Sequence, residues 1–169
     1  MRKCDGMTLM EVLAALLVLT LLVTAMGTSL DLMGRAENTS KFSAESDALA
    51  SSLQTVLADV LGFAENLEDN TFSNREYGIQ KGSLCLEAGK LCVRETEVRP
   101  LLGSGIYGEL AVTALEIQYI PPGESAGVIR PDGREVLNVP GGVFYITFRI
   151  ENSTGLSQTY ETAVRLVNP

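Results

Sequence analysis

Few residues in this chain have the type and spacing to do chemistry, and the sharpest is a single carboxylate. Glu11 stands at the fifth position after Gly6, at the head of an apolar run. A carboxylate inside such a run costs several kcal/mol, roughly, unless it is paired, so it reads as functional. Cys85 and Cys92 are the second pair of interest, because they stay together if the first six residues are removed. Gly103-Ser-Gly-Ile-Tyr-Gly108 matches the glycine pattern of dinucleotide loops, and Glu65, Glu68 and Asp69 could suggest a cation. The chain has no His, which removes the commonest general base and metal ligand.

The elements that must position these groups begin with the apolar run. Nineteen residues from Val12 to Leu30 carry no charge. At the helical rise they reach roughly 28 Å, close to the hydrocarbon thickness of a bilayer. Arg2 and Lys3 precede them and would hold the N-terminus on the cytoplasmic side. The run is too long for an ordinary signal-peptide core and has no small-x-small exit. A plain signal anchor would explain the hydrophobicity but not Gly6 and Glu11 at that spacing.

Gly6-Met-Thr-Leu-Met-Glu11-Val-Leu-Ala-Ala-Leu, behind a short basic leader, resembles the N-terminal signal of type IV prepilins and of the pseudopilins of type II secretion and competence systems. The resemblance covers residues 1–35. It implies that a prepilin peptidase cleaves after Gly6 and N-methylates Met7, and that Glu11 supports methylation and filament assembly. It also implies partners: other pilin or pseudopilin subunits, an inner-membrane assembly platform and membrane lipid. The chain departs from the family at Met7, where Phe is preferred, and at Thr28, where major pilins often carry Pro. The domain plan is a leader (1–6), a membrane and filament-core helix (7–33), an amphipathic continuation (34–64) and an antiparallel β head (65–169).

Downstream the reading rests on periodicity. Leu49, Leu53, Val56, Leu57, Val60 and Leu61 recur at spacings of three and four, with Asp47, Gln54 and Asp59 off that face. The simplest picture is one long helix from about Thr8 to Phe63; Asn38-Thr39-Ser40, whose side chains compete for the backbone, is the one place where it could break. Glu65–Asn70 ends it, and β signals follow. Ser83–Glu87 and Lys90–Glu95 flank Ala88-Gly89, a two-residue hairpin turn that places Cys85 opposite Cys92. These two thiols fit one disulfide of an exported domain, with two free structural thiols as the other reading. Glu109–Ile120 changes parity near Thr113-Ala114, which predicts a bulge or two short strands. Gly127–Arg130 and Arg134–Val139 flank a turn at Pro131-Asp132-Gly133. Val143–Ile150 places Phe144, Ile146, Phe148 and Ile150 on one face, and Gln158–Val167 turns Tyr160, Thr162, Val164 and Leu166 inward. The fold class is α+β and pilin-like: a long N-terminal helix on a C-terminal antiparallel meander.

The remaining motifs weigh against catalysis. The Gly103–Gly108 pattern follows Pro100 and precedes a strand rather than a helix, so it reads as a flexible loop. Glu65, Glu68 and Asp69 match no EF-hand spacing and read as solvated helix-end charges. Asn38 and Asn152 head sequons that matter only in a glycosylating host. The formal charge is −8. Removing residues 1–6 takes two of the 13 basic and one of the 21 acidic residues and moves it to −9. That balance argues against broad nucleic-acid binding. No metal site, cofactor or active site is predicted. The expected function is that of a minor pilin or pseudopilin, not an enzyme. The alternatives are an uncleaved, signal-anchored protein whose β domain binds a ligand or partner, and an anchored hydrolase.

Overall fold

The computed structural model describes residues 9–68, 71–129, 133 and 135–167, with the backbone alone at 68, 129 and 135–140. The chain divides into two units, Met1–Lys41 and Phe42–Pro169. One helix, α1 (Leu9–Gly62), contributes to both.

In the first unit α1 has no core to pack on: every described residue from 9 to 41 is exposed. Its helicity continues through Gly27-Thr28-Ser29 and through Asn38-Thr39-Ser40. No break occurs at 38–40. Thr39 turns its hydroxyl onto the Arg35 carbonyl, 2.9 Å away, four residues back, so the side chain joins the helix instead of competing with it.

In the second unit the amphipathic spacing is realised. Phe42, Ser46, Leu49, Ala50, Leu53, Leu57, Val60 and Leu61 are buried, while Asp47 and Asp59 are exposed. The β part is antiparallel, as expected, and among the described residues it forms three sheets. The first runs in chain order through β1 (Glu65–Glu68), β2 (Thr71–Asn74), β3 (Ile79–Glu87), β4 (Lys90–Arg94) and β5 (Val98–Pro100). After a single helical turn, α2 (Ser104–Tyr107), come β6 (Leu110–Ile120), the hairpin β7 (Ser125–Ile129) and β8 (Glu135–Pro140), then β9 (Val143–Asn152) and β10 (Ser157–Arg165). The second sheet has the order β10-β9-β6, with β7 and β8 forming a separate two-stranded sheet inserted between β6 and β9.

Strand β1 falls in the polar stretch that reads as the end of the helix, while β2 lies in the β region expected after Asn70. Their four-residue lengths and register shifts leave too little alternation to detect. Elsewhere the registers follow the pattern. Ser83 pairs with Arg94 and Cys85 with Cys92, and the turn residues Ala88 and Gly89 have φ of 49° and 72°, as a type I′ turn requires. The β6–β9 register shifts between Val112 and Ala114, so the parity change is a bulge. Phe144, Ile146, Phe148 and Ile150 all face the core.

One core joins α1 to the two larger sheets, and a smaller separate cluster of Ile120, Val128 and Val143 lies under β7. Leu53, Leu57 and Val60 of α1 meet Leu91 of β4, Val112 of β6 and Ile146, Phe148 and Ile150 of β9, all fully or almost fully buried. Each such side chain contributes about 1.5–3 kcal/mol when removed from water. Polar ties fix the helix to the strands. Gln54 Nε2 donates to the Glu161 carbonyl of β10 (3.2 Å), and the Val167 amide donates to the Gly62 carbonyl (2.8 Å). Strand β10 is the end strand of its sheet, and these contacts blunt an edge that would otherwise be open to pairing.

Candidate functional site

The sequence singled out the N-terminal segment, and the structure describes it from Leu9 onward. Gly6 and Met7, the expected cleavage and methylation positions, lie outside the described residues. Glu11 sits in the first turn of α1 and is exposed. A carboxylate there lies at the positive end of the helix dipole.

Behind it the helix is apolar on every side, unlike the amphipathic stretch beyond residue 42. Leu9 is 80% exposed and Leu30 70% exposed. The polar residues in this stretch satisfy themselves. Thr20 donates to the Leu17 carbonyl (2.8 Å), Thr24 to that of Thr20 (2.9 Å), and both Thr28 and Ser29 to that of Ala25 (2.9 Å each). A hydroxyl that bonds to the preceding turn can lie in an apolar medium with nothing unpaired, so these residues do not interrupt the span. By length and composition α1 is apolar enough to cross a membrane. At the polar boundary Arg35 pairs with Asp31 at 3.0 Å.

The other candidates lie in the second unit and are scattered. Cys85 is half-buried on β3 and Cys92 is buried on β4, directly opposite, both as free thiols. Burial is the main cause that pushes the Cys92 thiol above its ordinary pKa, and the neighbouring Cys85 adds to it. Gly103–Gly108 is an exposed connection apart from Tyr107. It contains the helical turn α2, pinned by Tyr107, which is 3% exposed and whose hydroxyl accepts the Leu91 amide at 3.1 Å. A four-residue turn feeding a strand lacks the helix that a phosphate loop needs. Glu65 is exposed, while the Glu68 side chain and Asp69 lie outside the described residues. Among the described residues no cluster of acidic or Cys side chains is arranged to hold a metal.

Several polar residues that the sequence reading passed over are placed by the fold. Asn74 is completely buried, donates to the Val60 carbonyl (2.7 Å) near the end of α1 and accepts the Tyr77 amide (3.2 Å). Ser46, Asp47, Gln158 and Tyr160 form a cluster between α1 and β10. The Glu95 carboxylate accepts the Gln80 amide at 2.8 Å and pairs with Arg99. First the Gln80 amide and then Arg99 hold its pKa below the usual value. A spacing rule detects neither the Asn74–Val60 tie nor the meeting of Ser46 and Asp47 with Gln158 and Tyr160, because the partners come from different elements.

Residues 1–27 match the family model described as the prokaryotic N-terminal methylation motif. No curated protein and no solved structure matches the chain. With the long apolar helix and the antiparallel sheets that follow it, the match over residues 1–27 is consistent with a type IV prepilin-like protein.

Proposed function

We propose that this chain is a minor pilin or pseudopilin: a structural subunit, not an enzyme, of a type IV pilus-like filament used in secretion, DNA uptake, adhesion or motility. The observation that carries the reading is the methylation motif at residues 1–27, running into a helix that is apolar on all sides over residues 12–30 and exposed throughout residues 9–41. Such a surface is compatible with lipid before assembly and with neighbouring subunit helices afterwards. The leader stays in the cytoplasm, a prepilin peptidase cuts after Gly6 and methylates Met7, and the head lies outside the cytoplasmic membrane. The new α-amino group of one subunit pairs with Glu11 of its neighbour, which offsets the cost of burying that carboxylate. The assembly platform then extracts the subunit from lipid into the filament.

The test is the intact mass and N-terminal residue of the chain expressed with and without a prepilin peptidase. A mature chain starting at N-methylated Met7 is the expected result. A chain that keeps residues 1–6 beside an active peptidase would overturn the filament reading and leave a signal-anchored β domain.

A further inference from the structure

The β3–β4 hairpin carries the other pair of groups with chemistry, and its geometry can be read from the hydrogen bonds around it. The Leu91 amide donates to the Tyr107 hydroxyl, and the Leu91 carbonyl accepts the Leu101 amide at 2.9 Å. Both polar groups of Leu91 therefore point away from β3, so Leu86–Leu91 is a non-hydrogen-bonded pair. Bonded and non-bonded pairs alternate along an antiparallel ladder, so Cys85–Cys92, one step further, is a hydrogen-bonded pair. In that pair type the Cα atoms stand about 5.5 Å apart. A disulfide accommodates Cα separations of roughly 4.4–6.8 Å. Its Cβ atoms stand about 3.5–4.5 Å apart, so closure must draw the two Cβ atoms of this pair together from about 5.5 Å. Leu84, Leu86, Leu91 and Val93 pack on the core, so strand alternation sends both sulfurs to the other face together.

We propose that Cys85 and Cys92 are a disulfide site, oxidised when the head meets a thiol-oxidising compartment, and that the bond staples the β3–β4 hairpin. The order of attack follows from exposure. Cys85 is half-buried and within reach of solvent, whereas Cys92 is 4% exposed and donates its thiol to the Lys90 carbonyl at 3.5 Å. The Cys85 thiolate attacks one sulfur of an external disulfide, either oxidised glutathione or the active-site disulfide of a thiol oxidase. That S–S bond breaks and one thiol leaves. Cys92 then gives its proton to solvent and attacks the Cys85 sulfur, expelling the second thiol. The protein loses two electrons and two protons, and the reagent becomes two thiols.

The staple has a definite place. The hairpin turn is held to β6 by the Val112 amide, which donates to the Gly89 carbonyl at 2.8 Å, and β4 lies between β3 and β5. Closing the ring across β3 and β4 thus ties together the two strands whose shared turn is held to β6.

The test uses the full chain in detergent with Cys4→Ser, so that only two thiols remain. It is equilibrated with oxidised glutathione, its free thiols are blocked, and it is cut with trypsin, which cleaves after Lys81, Lys90 and Arg94. The expected product is a peptide of residues 82–90 joined to one of residues 91–94, lighter by two hydrogen atoms than the two separate peptides. Reduction should lower the denaturation midpoint of this protein and leave that of a further Cys85→Ala variant unchanged. Recovery of both cysteines alkylated, or joined only to glutathione or to a second chain, would overturn the site. A midpoint indifferent to reduction would overturn the staple. Oxidation in the cell rests on the outward topology proposed above, but the purified-protein experiment does not, so the two readings fail separately.

Discussion

The hydroxyl of Tyr160 on β10 donates to the carboxylate of Asp47 on α1 at 2.8 Å, and it lies 2.9 Å from the hydroxyl of the fully buried Ser46. The same ring stacks on Phe148 of β9, its register partner, with centroids 5.7 Å apart. One side chain thus joins helix, edge strand and central strand. Tyr160→Phe keeps the ring and removes the tie, leaving Ser46 and Asp47 short of a partner. The expected loss is about 1–2 kcal/mol of unfolding free energy. Chemical denaturation of the full chain in detergent reads it, and an unchanged midpoint would refute the role given to the hydroxyl.

Burial is the first cause that pushes the Tyr160 phenol up to about 12; the Asp47 carboxylate reinforces the shift and the Ser46 contact opposes it. The unfolded phenol titrates near ~10. Because the folded pKa is raised, the fold prefers the neutral phenol. That contribution is complete below ~10 and is lost as the pH rises from ~10 through about 12. Stability of the head should therefore fall over this alkaline window, and Tyr160→Phe should flatten that part of the decline. A difference titration of phenolate absorbance between the two proteins checks the assignment.

Asn74 is expected to tolerate no apolar replacement. Asn74→Ala strips the Val60 carbonyl of its partner at a buried bond and the Tyr77 amide of its partner at a part-buried one. Each buried group left unsatisfied costs about 1–3 kcal/mol, so the variant should lose more than Tyr160→Phe. Comparison of the two denaturation midpoints decides the order.

Leu53 and Val56 are both apolar positions of the amphipathic stretch, but only Leu53 is fully enclosed, and Val56 is half-buried. Leu53→Ala should cost about 2–5 kcal/mol through lost contacts and the cavity left behind. Val56→Ala should cost well under half of that. Equal losses would contradict the placement of this helix face.

Glu11→Gln removes the charge while leaving the shape of the side chain. If Glu11 pairs with a neighbour's α-amino group, the variant should be cleaved after Gly6 but enter filaments at least about ten-fold less, as expected for loss of a charge pair worth ~1.4 kcal/mol or more. Counting the subunit in sheared filaments against that left in the membrane distinguishes this outcome. Normal incorporation would leave Glu11 with a purely local role at the helix start.

Much of the second unit was legible because its elements are long enough for periodicity to speak. Leu49, Leu53, Leu57, Val60 and Leu61 repeat at helical spacing over three turns, and Phe144 to Ile150 alternate over a full strand. The bulge at Val112–Ala114 announced itself as a change of parity. Strands β1 and β2 gave no such signal, since four residues hold only two alternations. The break that Asn38–Ser40 could have made is absent for a different reason. The same hydroxyl chemistry that competes with a helix can also bond to its own preceding turn, as Thr39 does.

The amino-acid order by itself determined what depends on near neighbours: the apolar helix behind Gly6 and Glu11, the amphipathic stretch after Phe42, the Ala88-Gly89 turn and the opposition of Cys85 and Cys92. Each follows from spacing within one element or across one tight turn, where chain connectivity does the positioning. The division of the strands into three sheets was decided only by the tertiary structure. So were the insertion of β7–β8 between β6 and β9 and the meeting of Asp47 with Tyr160 and of Asn74 with Val60. These depend on how separate elements stack around a common core, and that choice is made by the summed burial of many side chains, which no local pattern encodes.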